Sequence, residues 1–105
     1  MSQFDVYKNP NTRTKKVYPY ILDIQNPIIS EISTRITIPL GKQNQLHNLT
    51  MTILTPQITF NDEKLILLTP QIASIPANML KKPVGTLIHL RGEIISSLDF
   101  AITGT

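Results

Sequence analysis

The chain has no cysteine in its 105 residues. That excludes disulfides, thiolate zinc sites, iron–sulfur clusters and a cysteine nucleophile at once. Charge is also scarce, at 16% of residues against 41% hydrophobic. This balance excludes disorder as the main state, since disordered chains combine low hydrophobicity with high net charge. Long apolar runs are missing: the longest, Leu65 to Leu68, is four residues, where a bilayer span needs about 20. The first twenty residues carry Lys8, Asn9, Pro10, Asn11 and Arg13 where a secretory signal needs an apolar stretch, so a cytoplasmic protein is expected. The four glycines (Gly41, Gly85, Gly92 and Gly104) are isolated, which leaves no phosphate-cradling loop. A chain this short makes one domain, residues 1–105, with a modest core. Its stability has to come from that core, with a partner subunit as the one further source open to it.

What is present points to strands. Ile and Thr together supply 28 of the 105 residues, and β-branched side chains suit a pleated, half-buried surface. Residues Gln3 to Lys8 alternate, with Phe4 and Val6 on one face and Asp5 and Tyr7 on the other. Val17 to Gln25 reads as a second, longer strand, and the polar stretch Asn9 to Lys16 joins the two as a hairpin. Thr34 to Leu40 alternates cleanly, and Pro39 is expected to end its pairing or hold it at an edge. Gly41 to Asn48 reads as a loop or one short helical turn anchored by Leu46. Asn61-Asp62-Glu63 is a turn cluster inside a hairpin from Ile58 to Leu68. A short strand is expected around Ile72 to Ile75, within the proline-bearing stretch Pro70 to Pro83.

The period then changes. From Val84, apolar residues fall at Leu87, Ile88, Ile94, Ile95, Leu98, Ala101 and Ile102, spaced by three and four as on one face of an α-helix. The spacing predicts a helix and tail over 83–105, with Pro83 near its first turn and Gly104 at its end. Gly92 inside it implies a close contact. Arg91 interrupts the stripe and is expected to snorkel or to pair with a carboxylate. The expected fold is mostly β, an antiparallel sheet over 1–82 closed by one C-terminal α-helix.

No catalytic constellation can be assembled. His47 and His89 stand far apart in the chain and neither has a ligand-type neighbour at metal spacing. No serine lies in a nucleophile elbow. Asp23, inside Ile21-Leu22-Asp23-Ile24, is unusual in a strand and reads as a structural acid accepting hydrogen bonds or pairing with Arg35. No metal, cofactor or catalytic residue is expected, although a small ribonuclease using Arg, His and an acid stays open. The net charge is +3 with a pI near 9.4, which invites a nucleic-acid reading. Lys8, Arg13, Lys15 and Lys16 cluster in one segment and Lys81-Lys82 form a pair. A solvated basic loop accounts for them as well as a phosphate contact does.

The order of segments resembles the CcdB family of toxins. Phe4-Asp5-Val6-Tyr7, Tyr20-Ile21-Leu22-Asp23-Ile24-Gln25 and Thr34-Arg35-Ile36-Thr37-Ile38-Pro39-Leu40 carry the likeness at the start. Leu68-Thr69-Pro70-Gln71-Ile72-Ala73-Ser74-Ile75-Pro76, Arg91-Gly92-Glu93-Ile94-Ile95 and Leu98-Asp99-Phe100-Ala101-Ile102-Thr103-Gly104 continue it in family order. The resemblance implies an SH3-like β-barrel with a long C-terminal helix, assembled as a homodimer. It also implies a toxin of a type II toxin–antitoxin pair that binds the A subunit of DNA gyrase and traps the enzyme on cleaved DNA. A CcdA-like antitoxin would neutralise it, and the pair would repress its own operon. Contact with DNA would then be indirect, through the antitoxin.

Carried over residue by residue, the resemblance assigns gyrase binding to Ile28 and Ile29 after the second strand. At the C-terminus it assigns Asp99, Ile102, Thr103, Gly104 and Thr105. Plain alternatives stay open: Ile28-Ile29 as core, Asp99 as a solvated helical residue, Ile102 as part of the packing stripe. The best-known plasmid-borne member ends in Trp-Gly-Ile, whereas this chain ends in Thr103-Gly104-Thr105. Loss of an exposed Trp anchor, a kind of residue whose truncation costs about 2 kcal/mol or more, implies weakened or redirected target binding unless other contacts compensate. A fold-retaining homologue that binds antitoxin but not gyrase, and an mRNA-cleaving toxin of the related fold class, are the alternatives.

Overall fold

The computed structural model describes residues 2–26, 33–46 and 52–104. Among these residues, seven strands form one antiparallel sheet: β1 (Asp5–Lys8), β2 (Tyr20–Asp23), β3 (Thr34–Lys42), β4 (Gln57–Phe60), β5 (Glu63–Leu67), β6 (Ala73–Pro76) and β7 (Gly85–Thr86). Their order is β4-β5-β3-β2-β1-β7, with β6 also paired to β3. The sheet curls into a half-barrel around an aliphatic core, and one helix, α1 (Arg91–Thr103), closes it. The expected mostly β fold with a C-terminal helix is therefore observed.

The first hairpin pairs Val6 with Leu22 and Tyr7 with Ile21. β2 starts later than the alternation suggests, because Tyr18 N is drawn into the loop and donates to the Thr14 carbonyl at 2.8 Å. β1 starts later too, because Phe4 takes a positive φ of 71° and turns the chain just before it. Phe4 is held there from both sides: its N–H donates to the Asp23 carbonyl at 2.6 Å and its carbonyl accepts from Leu87 N at 2.8 Å. The β4–β5 hairpin closes on Asn61 and Asp62, both at positive φ, between the paired Phe60 and Glu63. That is a two-residue turn of the type whose twist matches the flanking strands.

Pro39 does not end β3. The strand runs on to Lys42, with β6 pairing Thr34 to Thr37 and β5 pairing Leu40 to Lys42 along the same side. Pro39 falls between those two partners. Its missing N–H faces the gap, and its carbonyl accepts from Leu68 N at 3.0 Å. A proline is tolerated inside a sheet only where no ladder bond is needed, and this junction is such a place.

The predicted helix start is also displaced. Residues 84–87 are drawn to the free edge of β1: Val84 N donates to the Val6 carbonyl at 2.7 Å, and Gly85 and Thr86 pair with Val6 and Asp5. The helix begins at Arg91, after a turn of 3₁₀ helix over Ile88–Leu90. Gly85 permits the close pass, since a Cβ there would lie 2.5 Å from the Phe60 ring. Gly92 by contrast has nothing within 4 Å of such a Cβ, so the expected close contact is absent. It borders an open groove of about 440 Å³ with Ile53, Pro56, Glu93 and Ser96. Arg91, the first helical residue, is exposed and lies off the packing stripe.

Two clusters hold the molecule together. On the concave face Phe4, Val6, Leu22, Ile38, Leu40, Leu65 and Leu67 pack against Leu87 and Ile94. On the other face Tyr7, Ile21 and Leu80 form a smaller cluster with Ile75. A polar tie fixes the helix to the sheet side: the hydroxyls of Thr69 and Ser97, both buried, lie 2.7 Å apart.

Candidate functional site

Asp23 lies at the end of β2, facing Arg35 across the β2–β3 ladder, and the two form a buried ion pair. Arg35 Nε donates to Asp23 Oδ2 at 2.9 Å, and Nη2 lies 2.8 Å from the same oxygen without hydrogen-bond geometry. Asp23 Oδ1 accepts from Gln25 N at 3.0 Å, and Gln25 Oε1 in turn accepts from Ile36 N at 3.0 Å. This is the pairing read from the sequence. Its role is to set the register of β2 against β3 where backbone pairing ends. Tyr7 lies on the same side of the sheet, with its hydroxyl buried and unpartnered among the described residues. Burial pushes its phenol above the usual 10.0, Asp5 and Asp23 add to the shift, and Arg35 opposes it.

The helix end is a different kind of place. Ile94 and Ser97 are the buried residues of α1, with Ile95 and Leu98 half-buried against the core. From Asp99 to Gly104 every residue is exposed, so the last turn projects beyond the sheet. Ile102, placed on the packing stripe by its spacing, is 75% exposed. The packing stripe stops at Leu98, which is half-buried against the core, whereas the described residues after it are all exposed. Phe100, which the sequence reading did not single out, is also exposed and adds apolar area to the same turn. Its place off the three-and-four spacing of the apolar stripe, between Leu98 and Ala101, was the available signal for it.

This end is fixed rather than frayed. Gly104 adopts the left-handed conformation (φ 76°) that closes a helix, with its N–H donating to the Phe100 carbonyl at 3.0 Å. Thr103 Oγ1 donates to the Asp99 carbonyl at 2.6 Å, which turns the hydroxyl inward. Asp99 stands near the negative end of the helix dipole, where a carboxylate is electrostatically unfavourable, and no basic residue occupies that last turn. The structure thus gives Asp99 no stabilising role. Ile28, Ile29 and Thr105 lie outside the described residues, as does His47. The structure therefore brings together Asp99, Ile102, Thr103 and Gly104 of the expected set. His89 is exposed in the turn before α1.

The chain is thus a curled antiparallel sheet with an exposed helix terminus that carries Asp99, Phe100 and Ile102. The model for the CcdB protein family matches residues 3–104, almost the whole chain. The chain belongs to the CcdB family, and so to the toxins of toxin–antitoxin pairs. Among the described residues, no helix is long and apolar enough to cross a membrane.

Proposed function

We propose that this chain is a cytoplasmic toxin that acts by binding the A subunit of DNA gyrase and holding the enzyme on cleaved DNA. It performs no chemistry of its own and is released by a CcdA-like antitoxin, with which it represses its operon. The observation that carries this reading is the capped, projecting helix end. Ile102 and Phe100 expose apolar surface there without a partner in the fold, and Asp99 sits where helix stability disfavours it.

The active form is a homodimer. Ile36 shares the core-facing side of β3 with Ile38 and Leu40, yet is 37% exposed while both neighbours are fully buried. One end of the concave face is therefore uncovered, and an isologous second copy can cover it and present two helix ends to a symmetric target.

The test is a DNA cleavage assay with purified gyrase and the intact protein, beside a variant lacking Gly104 and Thr105. Cleaved DNA that disappears with the truncation supports the reading. Absence of both cleavage and binding to the gyrase A subunit, with folded protein, refutes it. Binding to the antitoxin alone would then indicate a gyrase-inactive homologue that retains antitoxin binding only.

A further inference from the structure

The basic residues that look scattered along the chain meet at one end of the sheet. Lys8 closes β1 and is followed by the loop that carries Arg13, Lys15 and Lys16. Leu80 packs on Tyr7 and Ile21, and Val84 N bonds the Val6 carbonyl. Lys81 and Lys82 lie between these two anchors and so pass beside the end of β1. All six cations are exposed. Among the described residues, the one ion pair is that of Asp23 with Arg35, so no described carboxylate pairs with any of the six. The β4–β5 turn at the same end adds Asp62 and Glu63, matched by Lys42 and Lys64. Outside this end, the described cations are Arg35 and Arg91, against Asp5, Asp23, Glu93 and Asp99. The molecule is electrically polar, and its net positive charge resides in this one patch.

The loop is pre-organised. Asn9 Nδ2 donates to Thr14 Oγ1 at 3.0 Å and to the Tyr18 carbonyl at 2.8 Å. Asn9 Oδ1 accepts from Asn11 N, and Asn11 Oδ1 from Arg13 N, both at 2.9 Å. Lys15 and Arg13 therefore leave a fixed backbone, which lowers the entropy lost on binding. Between the cations stand Asn11, Thr12 and Thr14, polar groups of the kind that contact phosphate oxygens. Among the described residues of the patch the one aromatic is Tyr18, which is half-buried at the end of the loop and so offers an unpaired base no fully exposed ring. Its apolar neighbours are Met79 and Val84, beside the Lys81-Lys82 pair, whereas protein interfaces centre on large buried anchors.

We infer that this basic end binds the phosphate backbone of duplex DNA directly, so that the toxin contributes its own sequence-independent DNA contact instead of reaching DNA only through its antitoxin. The surface is separate from the helix end, and a dimer would carry two copies of it.

The experiment uses the purified protein and a fluorescent 30-base-pair duplex of arbitrary sequence, without gyrase or antitoxin, so its outcome is independent of the gyrase reading. Anisotropy titrations at several salt concentrations should show affinity falling steeply, by about 0.9 log units per log unit of salt for each phosphate contacted. The K8Q/K15Q/K16Q/K82Q variant should bind about 100-fold more weakly at 50 mM salt, with a slope shallower by about 3 to 4. R91Q, which removes a cation away from the patch, should bind like the parent. Thermal melting confirms that each variant is folded, and the pairs K8Q/K82Q and K15Q/K16Q repeat the test if the quadruple variant is not. No binding at 50 mM salt, equal binding by the quadruple variant, or an equal loss in R91Q overturns the inference. Tighter binding to polyglutamate than to the duplex also overturns it, and assigns the patch to an acidic protein segment.

Discussion

Asp23 and Arg35 show how a single buried pair can be indispensable without being a source of net stability. Both are withdrawn from water, and desolvating two charges consumes most of what their attraction returns. Removing one partner leaves the other charge buried and unpaired. Arg35→Ala or Asp23→Ala is expected to lower stability by about 3 to 5 kcal/mol, read from the urea midpoint. The double replacement Asp23→Leu/Arg35→Met should lose much less than the sum of the single changes. Tyr7 offers the opposite case. Its hydroxyl is buried without a protein partner among the described residues, and such a group costs about 1 to 3 kcal/mol. Tyr7→Phe should therefore raise the melting temperature. The same substitution has a pH signature. Because the folded phenol titrates above the unfolded value of 10.0, the stability tied to Tyr7 is complete below pH 10 and falls as pH rises through the folded value. The parent protein should lose stability above pH 10 more steeply than Tyr7→Phe, by thermal melts across that range.

At the scale of the element, α1 does two jobs with different halves. Its first half is structural: Ile94 fills the core, Ser97 reaches Thr69, and full burial of a side chain such as Ile94 is worth about 1.5 to 3 kcal/mol. Its second half contributes little packing and carries the exposed turn. Substitutions there should separate binding from folding. Asp99→Lys should remove gyrase-dependent cleavage while leaving the melting temperature unchanged or slightly raised, since a cation suits the helix C-terminus. Thr103→Trp places a large anchor on the projecting turn and should tighten binding to the gyrase A subunit by about tenfold or more. A target-binding titration that shows no gain would mean that the apolar contact is made elsewhere. Gly104→Val strains a left-handed residue by roughly 1 to 2 kcal/mol and should fray the last turn, visible as faster amide exchange of residues 101–104 with an unchanged core.

At the scale of the whole molecule, the uncovered end of the concave face and the polarised charge define what the chain can meet. Ile36→Glu puts a charge where a second copy would bury it, which costs binding without touching the closed core. Light scattering at micromolar concentration should report a dimer for the parent and a monomer for the variant, with both chains folded. A monomeric parent would remove the two-fold presentation of the helix ends. The basic end and the helix end use different residues, so contact with DNA and contact with a protein target need not compete.

The identity of strands β1 to β6, the turn at Asn61-Asp62, the Asp23–Arg35 pair, the closing glycine at 104 and the family were determined by the sequence, whereas β7 reads there as helix. They depend on local periodicity, turn chemistry or order along the chain. The start of α1 was not legible, because Val84, Leu87 and Ile88 satisfy helical spacing by coincidence. What overrides that spacing is the unpaired edge of β1, a long-range demand for hydrogen bonds. The tolerance of Pro39 mid-strand likewise depends on where β6 hands over to β5. Exposure of Ile102 and convergence of Lys81-Lys82 with Lys8 belong to the tertiary structure alone. An apolar residue is core only if something lies above it, and charges form a patch only when distant segments are brought side by side.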